Sequence, residues 1–326
     1  MFTFSYKFCD HATYLQKLAS FIGVPLLNNV LWLPVEIGSG YIKSIQLANG
    51  LQVLVNECVI HNNVCIRREG GSHGDYTLRF DEIRNMKALT LKMDEAVHKE
   101  NNGVYSGALL TSSFSPLEYT ATAGTENRCI NIHFTEEWFN KYCGLKGSDY
   151  VLTKYLALKT GAFNFEVLNI GYRELMEEIF ALKEDHPIYK TVLQNRVMLL
   201  LENFLGSLYT KMSKPNAEIN IEDGEIKRMM QVESILISNL SMPPPPLSEL
   251  ARTAIMSVTK LKAVFKKTYG LSPYEYYQTN RMLKARQLLN NGKYSIKEIG
   301  TQLGFKNLSN FTIAYKKAFN ILPRDV

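Results

Sequence analysis

Read for the spacing of its apolar positions, the chain falls into three regimes. Up to about residue 135, apolar and polar residues alternate in short runs broken by glycine, asparagine and serine. That period predicts half-buried strands, at residues 41–47, 51–55, 59–67, 76–80, 86–92, 107–113 and 129–134. Asn49-Gly50 sits between the first two as a hairpin dipeptide, and the glycine-rich 70–74 segment and Asn101-Asn102-Gly103 read as turns. Short strands at this spacing suggest a sandwich or barrel. Residues 11–27 are ambiguous between helix and strand.

From residue 136 the period lengthens. Phe165, Leu168, Tyr172, Leu175 and Ile179 recur at helical spacing, with Met176 and Phe180 widening the stripe. A second long helix is expected over 188–212, striped by Val192, Val197, Leu200, Leu201, Phe204, Leu208 and Met212. These helices either cover the sheet or each other, or form a dimer surface over 163–212. Residues 213–224 are polar, contain Pro215 and lack a stripe, which predicts an interdomain linker. A helix over 225–240 then stops before Pro243–Pro246, because proline lacks the ladder N–H and biases its predecessor toward extended backbone. The expected domains are therefore 1–212, a linker 213–224, and 225–326.

The third regime states one pattern twice. Leu247, Leu250, Ala251, Met256, Leu261, Phe265, Tyr269 and Pro273 are answered by Ile296, Ile299, Gly300, Phe305, Phe311, Tyr315, Phe319 and Pro323. The offset is 49 through Met256 and 50 from Leu261, so the second turn carries one extra residue. Each copy reads as a short helix, a tight turn and a longer amphipathic helix. That is a helix-turn-helix whose second helix suits a DNA major groove.

Charge supports this reading. Residues 225–326 hold 16 Lys and Arg against 6 Asp and Glu, whereas 1–224 hold 21 against 25. Such asymmetry suggests that one end meets a polyanion. The five cysteines (Cys9, Cys58, Cys65, Cys129, Cys143) are odd in number and lack CxxC spacing, which suggests reduced thiols in a cytoplasmic protein. No apolar run approaches membrane-spanning length, and the first ten residues do not read as a secretory signal.

Residues 225–326 resemble the DNA-binding domain of the AraC/XylS family of transcription regulators. Among the matching residues are Leu250, Ala251, Met256, Ser257, Leu261, Phe265, Gly270, Pro273, Tyr276, Arg281, Ala285, Ile296, Ile299, Gly304, Phe305, Phe311, Lys316, Phe319 and Pro323. The resemblance implies an all-α domain with two helix-turn-helix units bridged by a linker helix near 273–290. It also implies a homodimer that binds double-stranded DNA, and an activator that would contact RNA polymerase. Exposed residues at the start of each second helix are then the candidate readers. They are Ser257, Thr259, Lys260, Lys262 and Ala263 in the first unit, and Lys306, Asn307, Ser309, Asn310, Thr312 and Ile313 in the second. Lysine and asparagine suit guanine and adenine edges. Lys266, Lys267, Lys316 and Lys317 lie farther along and suit phosphate. Ala263 and Ile313 fall where many relatives carry a base-reading arginine. Ile255 stands at the turn position of Gly304, so either the first turn differs or it is strained.

For the amino-terminal half the resemblance implies a cupin-like sensor, giving an α+β, two-domain chain whose mainly-β barrel or sandwich is followed by a helical pair. A small-molecule effector is expected in the barrel, its identity and pocket residues open; a filled core is the plainer reading. His61, His73, His98 and His133 make no HxH, so neither a metal nor a cofactor is expected, although His133 alternates with Ile130 and Ile132 and could face a cavity. No GxSxG, HExxH or P-loop pattern is present. The rival reading is an enzyme, of the DNA-repair type, fused to an AraC-like DNA-binding tail.

Overall fold

A computed structural model of the chain describes residues 1–71, 74–94, 96–143, 166–213, 223–290 and 292–326. His73, residues 163–165 of the proposed helical pair and most of the expected linker lie outside them. By packing, the chain divides into Met1–Glu166 with Val197–Asn216, and Val167–Arg196 with Ala217–Val326. The fold is α+β, with a mainly-β amino-terminal part and a helical carboxy-terminal domain.

Among the described residues the first unit is built on β1 Phe2–Lys7, β2 Val30–Trp32, β3 Gly38–Gln46, β4 Gln52–Ile60, β5 Val64–Glu69, β6 Asp75–Met93, β7 Ala96–Ser112, β8 Leu117–Ala121 and β9 Glu126–Thr135. Their order is β1-β5-β8-β6-β9-β4-β3-β2, with β7 along β6. The β3–β4 hairpin closes as expected, with Gly50 at φ 95°, a conformation natural to glycine. Residues 75–84 of β6 pair with β9, whereas residues 89–93 pair with β8. Between them, at Ile83/Met86, the register shifts and Asn85 takes φ 55°. This bulge bends the strand, and the sheet curls into a half-barrel. Helix α1, His11–Ile22, starts on the Asp10 side chain and ends on Gly23 in the left-handed region. It packs Leu15, Leu18 and Ala19 against Phe4, Leu31, Ile42 and Leu54.

Several strand expectations change. Residues 76–80 and 86–92, expected as separate strands, are one strand, because asparagine tolerates positive φ and so carries a bulge between them. Asn101–Gly103 is within β7, with Gly103 opposite Met86 at that bulge. Residues 59–67 are instead two strands, broken at residues 61–63.

Helix α2, Glu136–Cys143, follows β9, then α3, Ile170–Ala181, and α4, Tyr189–Ser213. The carboxy-terminal helices are α5 Asp223–Ile237, α6 Leu247–Thr253, α7 Val258–Tyr269, α8 Pro273–Asn290, α9 Ile296–Gln302 and α10 Leu308–Phe319. Helix α3 lies within the expected first domain, 1–212, but groups by packing with the second unit. That helix packs on α8 in the carboxy-terminal unit. Its buried Arg173 pairs with buried Glu233 of α5, which also accepts from the Tyr276 hydroxyl of α8 at 2.5 Å. An apolar stripe alone could not tell this face from one meant for the sheet.

Candidate nucleic-acid interface

Both helix-turn-helix units are built by the same local chemistry. In the first, Leu261, Phe265 and Tyr269 line one face of α7 and are buried, Phe265 meeting Tyr276 of α8 edge-on at 5.4 Å. In the second, Phe311 and Tyr315 are buried, and Phe319 packs on Tyr315 at 4.8 Å. The turns match bond for bond: Ile255 N–H donates to Arg252 and Met256 N–H to Ala251, as Gly304 N–H does to Thr301 and Phe305 N–H to Gly300. The next residues differ. Ser257 caps α7 by accepting from Lys260 N–H, and Asn307 caps α10 by accepting from Asn310 N–H. Turns 49 apart and caps 50 apart make Lys306 the extra residue.

Gly304 and Ile255 therefore answer the same demand differently. Gly304 has φ 74°, and a Cβ there would lie 1.9 Å from the Ser241 carbonyl oxygen. Ile255 has φ 54° with its side chain 83% exposed, so it meets no such wall but keeps the left-handed strain of a β-branched residue. The first turn does not differ, so the strain expected as the alternative is present.

Linker helix α8 spans Pro273–Asn290, as expected. Its Arg281 Nε donates to the Leu303 carbonyl at 2.7 Å while the guanidinium lies 3.9 Å from the Phe305 ring centre. That contact satisfies a carbonyl at the end of α9 and fixes the second turn to the linker helix. α9 starts on a capping box between Ser295 and Glu298, whose carboxylate is held below its usual range by the Ser295 amide and hydroxyl.

Of the sequence candidates, Ser257, Thr259, Lys260, Lys262, Ala263, Lys266, Lys267, Lys306, Asn307, Ser309, Asn310, Ile313, Lys316 and Lys317 are exposed, and Thr312 is half-buried. Their roles differ. Ser257 and Asn307 are caps first, since their oxygens already accept backbone N–H groups. Lys260 Nζ lies 2.5 Å from the buried Glu225 carboxylate, which ties α7 to α5. Thr312 donates back to the Leu308 carbonyl at 2.9 Å. Thr259, Lys262, Ala263, Ser309, Asn310 and Ile313 remain as exposed side chains of the first two turns of each second helix. Lys266, Lys267, Lys316 and Lys317 occupy the last turns, where cations also complement the helix dipole. Leu308 was passed over because it sits three residues before Phe311 and looks like part of the core stripe. It is 45% exposed at the first turn of α10, where an apolar side chain can meet a thymine methyl.

The five cysteines are free, and among the described residues no group of three or more His, Cys, Asp or Glu side chains could hold a metal. His133 is buried with its ring 5.7 Å from that of Phe8. No described helix is long and apolar enough to cross a membrane.

Residues 250–326 match a family model described as a helix-turn-helix domain. Over 77 residues the chain is 42% identical to the virulence regulon transcriptional activator VirF of Yersinia enterocolitica, covering 24% of this chain and 28% of that protein. It is 34% identical over 98 residues to the HTH-type transcriptional regulator GbdR of Pseudomonas aeruginosa, covering 30% of this chain and 26% of the relative. The matches thus span about a quarter of the relatives' length. Among solved structures, an AraC-type regulator from Chromobacterium violaceum aligns at 31% identity over 31% of this chain and 90% of that one, with TM-score 0.29. ToxT from Vibrio cholerae aligns at 14% over 84% of this chain and 97% of that one, with TM-score 0.28. The carboxy-terminal domain is of the AraC type, the DNA-binding domain of the AraC/XylS family.

Proposed function

We propose that the protein is a sequence-specific, effector-responsive transcription regulator with no catalytic activity, acting in the cytoplasm on double-stranded DNA. The observation that supports it best is the pair of helix-turn-helix units on one linker helix, each with an exposed polar and basic face beside a closed aromatic core. In this reading Lys262, Ala263, Asn310 and Ile313 meet base edges, helped by Thr259, Ser309, Lys306 and Leu308. Lys266, Lys267, Lys316 and Lys317 hold phosphate and set register without reading sequence. The half-barrel is a cupin-like sensor, and its ligand acts by binding one arrangement of the protein better than another.

Activation, with contact to RNA polymerase, is proposed because VirF, similar over residues of this domain, is named an activator. A homodimer would double the DNA site. The stripe residues Tyr172, Met176, Ile179, Val197, Leu200, Leu201, Phe204 and Leu208 are covered within the chain, so the dimer would use other surface, for which Ile188 and Tyr209 are exposed apolar candidates.

Measuring the affinity of the full-length protein for a selected duplex and a random one, across a salt series, tests the assignment. Lys267→Ala should weaken both alike and lower the slope of log affinity against log salt by about one. Lys262→Ala should weaken the selected duplex by about 1–3 kcal/mol and the random duplex much less. If the two variants behave identically, the division into readers and holders is wrong. If no duplex is preferred at all, the regulator reading fails.

A further inference from the structure

Within the amino-terminal unit, the half-barrel and α1 line a partly open cavity of about 160 Å³. Its wall mixes apolar and aromatic side chains with polar ones, among them His11, Asn56, Asn127 and Asn131. It includes two arginines, Arg68 of β5 and Arg79 of β6, and neither aspartate nor glutamate.

The two arginines are balanced differently. Arg79 is neutralised in place: its Nε and Nη2 each lie 3.2 Å from a carboxylate oxygen of Asp81, two residues along the same strand. Arg68 is 6% exposed and donates to three neutral oxygens, Thr111 Oγ1 at 3.1 Å and the Ser112 and Ser115 carbonyls at 3.1 and 2.9 Å. Its guanidinium stands 5.3 Å from the Phe8 ring centre, and its Nε has no hydrogen-bond partner. Among the described residues no carboxylate forms an ion pair with it, and the exposed Asp94 acts on it only at longer range. Neutral acceptors satisfy donors but leave the net charge, and a buried charge without a counter-charge is costly. Burial accordingly pulls the Arg68 pKa down to about 10.

We propose that this cavity binds a small monocarboxylate, its carboxylate beside Arg68 and its compact apolar body among Tyr6, Phe8, Tyr14 and Tyr119. The proposal rests on the reading of this unit as an effector sensor and names the class of effector. One unbalanced guanidinium calls for one negative charge. The volume sets the size of the part that is buried, since a cavity of about 150 Å³ is known to hold benzene.

The test is calorimetric titration of the full-length protein with benzoate and with benzamide, a neutral analogue of nearly equal size. Benzoate should bind at least tenfold more tightly. Arg68→Met should lower benzoate affinity at least tenfold and leave that of benzamide unchanged. Equal affinity for the two probes, binding of neither, or an undiminished benzoate affinity in Arg68→Met overturns the proposal. Should Arg68→Met fail to fold, crystals of the unaltered protein soaked in 4-iodobenzoate decide. An iodine anomalous peak inside the half-barrel supports the site, and a peak elsewhere or none overturns it. The same preparation is assayed on selected and random duplexes. Sequence-specific DNA binding without carboxylate binding sinks the pocket and leaves the regulator standing; carboxylate binding without DNA preference does the reverse.

Discussion

Ile255 holds a backbone conformation that its own side chain opposes. At φ 54° its Cβ crowds the carbonyl that follows, and 83% exposure means that little burial offsets the strain. Glycine costs more chain entropy on folding but removes the clash, so Ile255→Gly should stabilise the carboxy-terminal domain by about 1 kcal/mol. Urea unfolding followed by far-ultraviolet circular dichroism would register this as a higher midpoint at unchanged slope; an unchanged or lower midpoint counts against strain. His11 is the second residue with a legible consequence. Burial, and the neighbouring His133, press its pKa from 6.5 to about 3. Below pH 6.5 the unfolded chain takes up a proton that the folded chain refuses until about pH 3. Stability therefore falls as pH is lowered through that window, by up to about 1.4 kcal/mol per unit from this group. Trp32 and Trp138 both lie in the amino-terminal unit, so tryptophan fluorescence follows its unfolding. Between pH 6 and 4 the urea midpoint should fall in the unaltered protein and fall less steeply in His11→Gln. Parallel slopes would mean that other groups carry the acid sensitivity.

Among the elements, α3 is the one whose place its sequence concealed. Its apolar stripe announced a buried face, yet the partner was chosen by Arg173, which sits inside that face and pairs with Glu233. Arg173→Met should cost about 3–5 kcal/mol, because it strands a buried carboxylate. Adding Glu233→Leu should recover much of the loss, and a double variant no better than the single one would argue against a stranded charge. This marks where legibility ends. Helices α6, α7, α9 and α10 could be placed from sequence because they rest on local signals repeated in two copies: aromatic residues four apart, a serine or asparagine cap, a left-handed turn. The role of Lys260 could not, since its partner Glu225 lies 35 residues away. The strands were less legible for the same reason. Phe2–Lys7 is recognised only by its parallel pairing with Val64–Glu69, and Asn85 or Asn101–Gly103 becomes bulge or turn according to the strand opposite. No local pattern encodes Arg68 as an unbalanced cation, because that depends on which strands surround it.

At the scale of the whole molecule, the two helix-turn-helix units are unequal copies held by one rigid spacer. α8 is a single uninterrupted helix, tied to the second turn through Arg281 and to the first unit through Tyr276 against Phe265. Two readers fixed to one helix should address two major-groove segments on one face of DNA, about one turn or 34 Å apart. Selection of bound sites from random duplexes should then yield a motif of two elements centred roughly ten base pairs apart. The elements should differ, because the proposed readers do: Lys262 and Ala263 in one copy, Asn310 and Ile313 in the other, with Leu308 offering an apolar contact and Lys306 present only in the second. Lys262→Ala should blur one element and Asn310→Ala the other, each at a cost of about 1–3 kcal/mol on the full motif. Lys262 suits guanine, whereas Asn310 suits adenine and Ile313 and Leu308 suit thymine methyls, so the second element should be the richer in A·T pairs. A motif in which both substitutions degrade the same positions would mean that the units do not read independently. A motif with one element, insensitive to Asn310→Ala, would leave the second unit as a phosphate clamp and place all base recognition in α7.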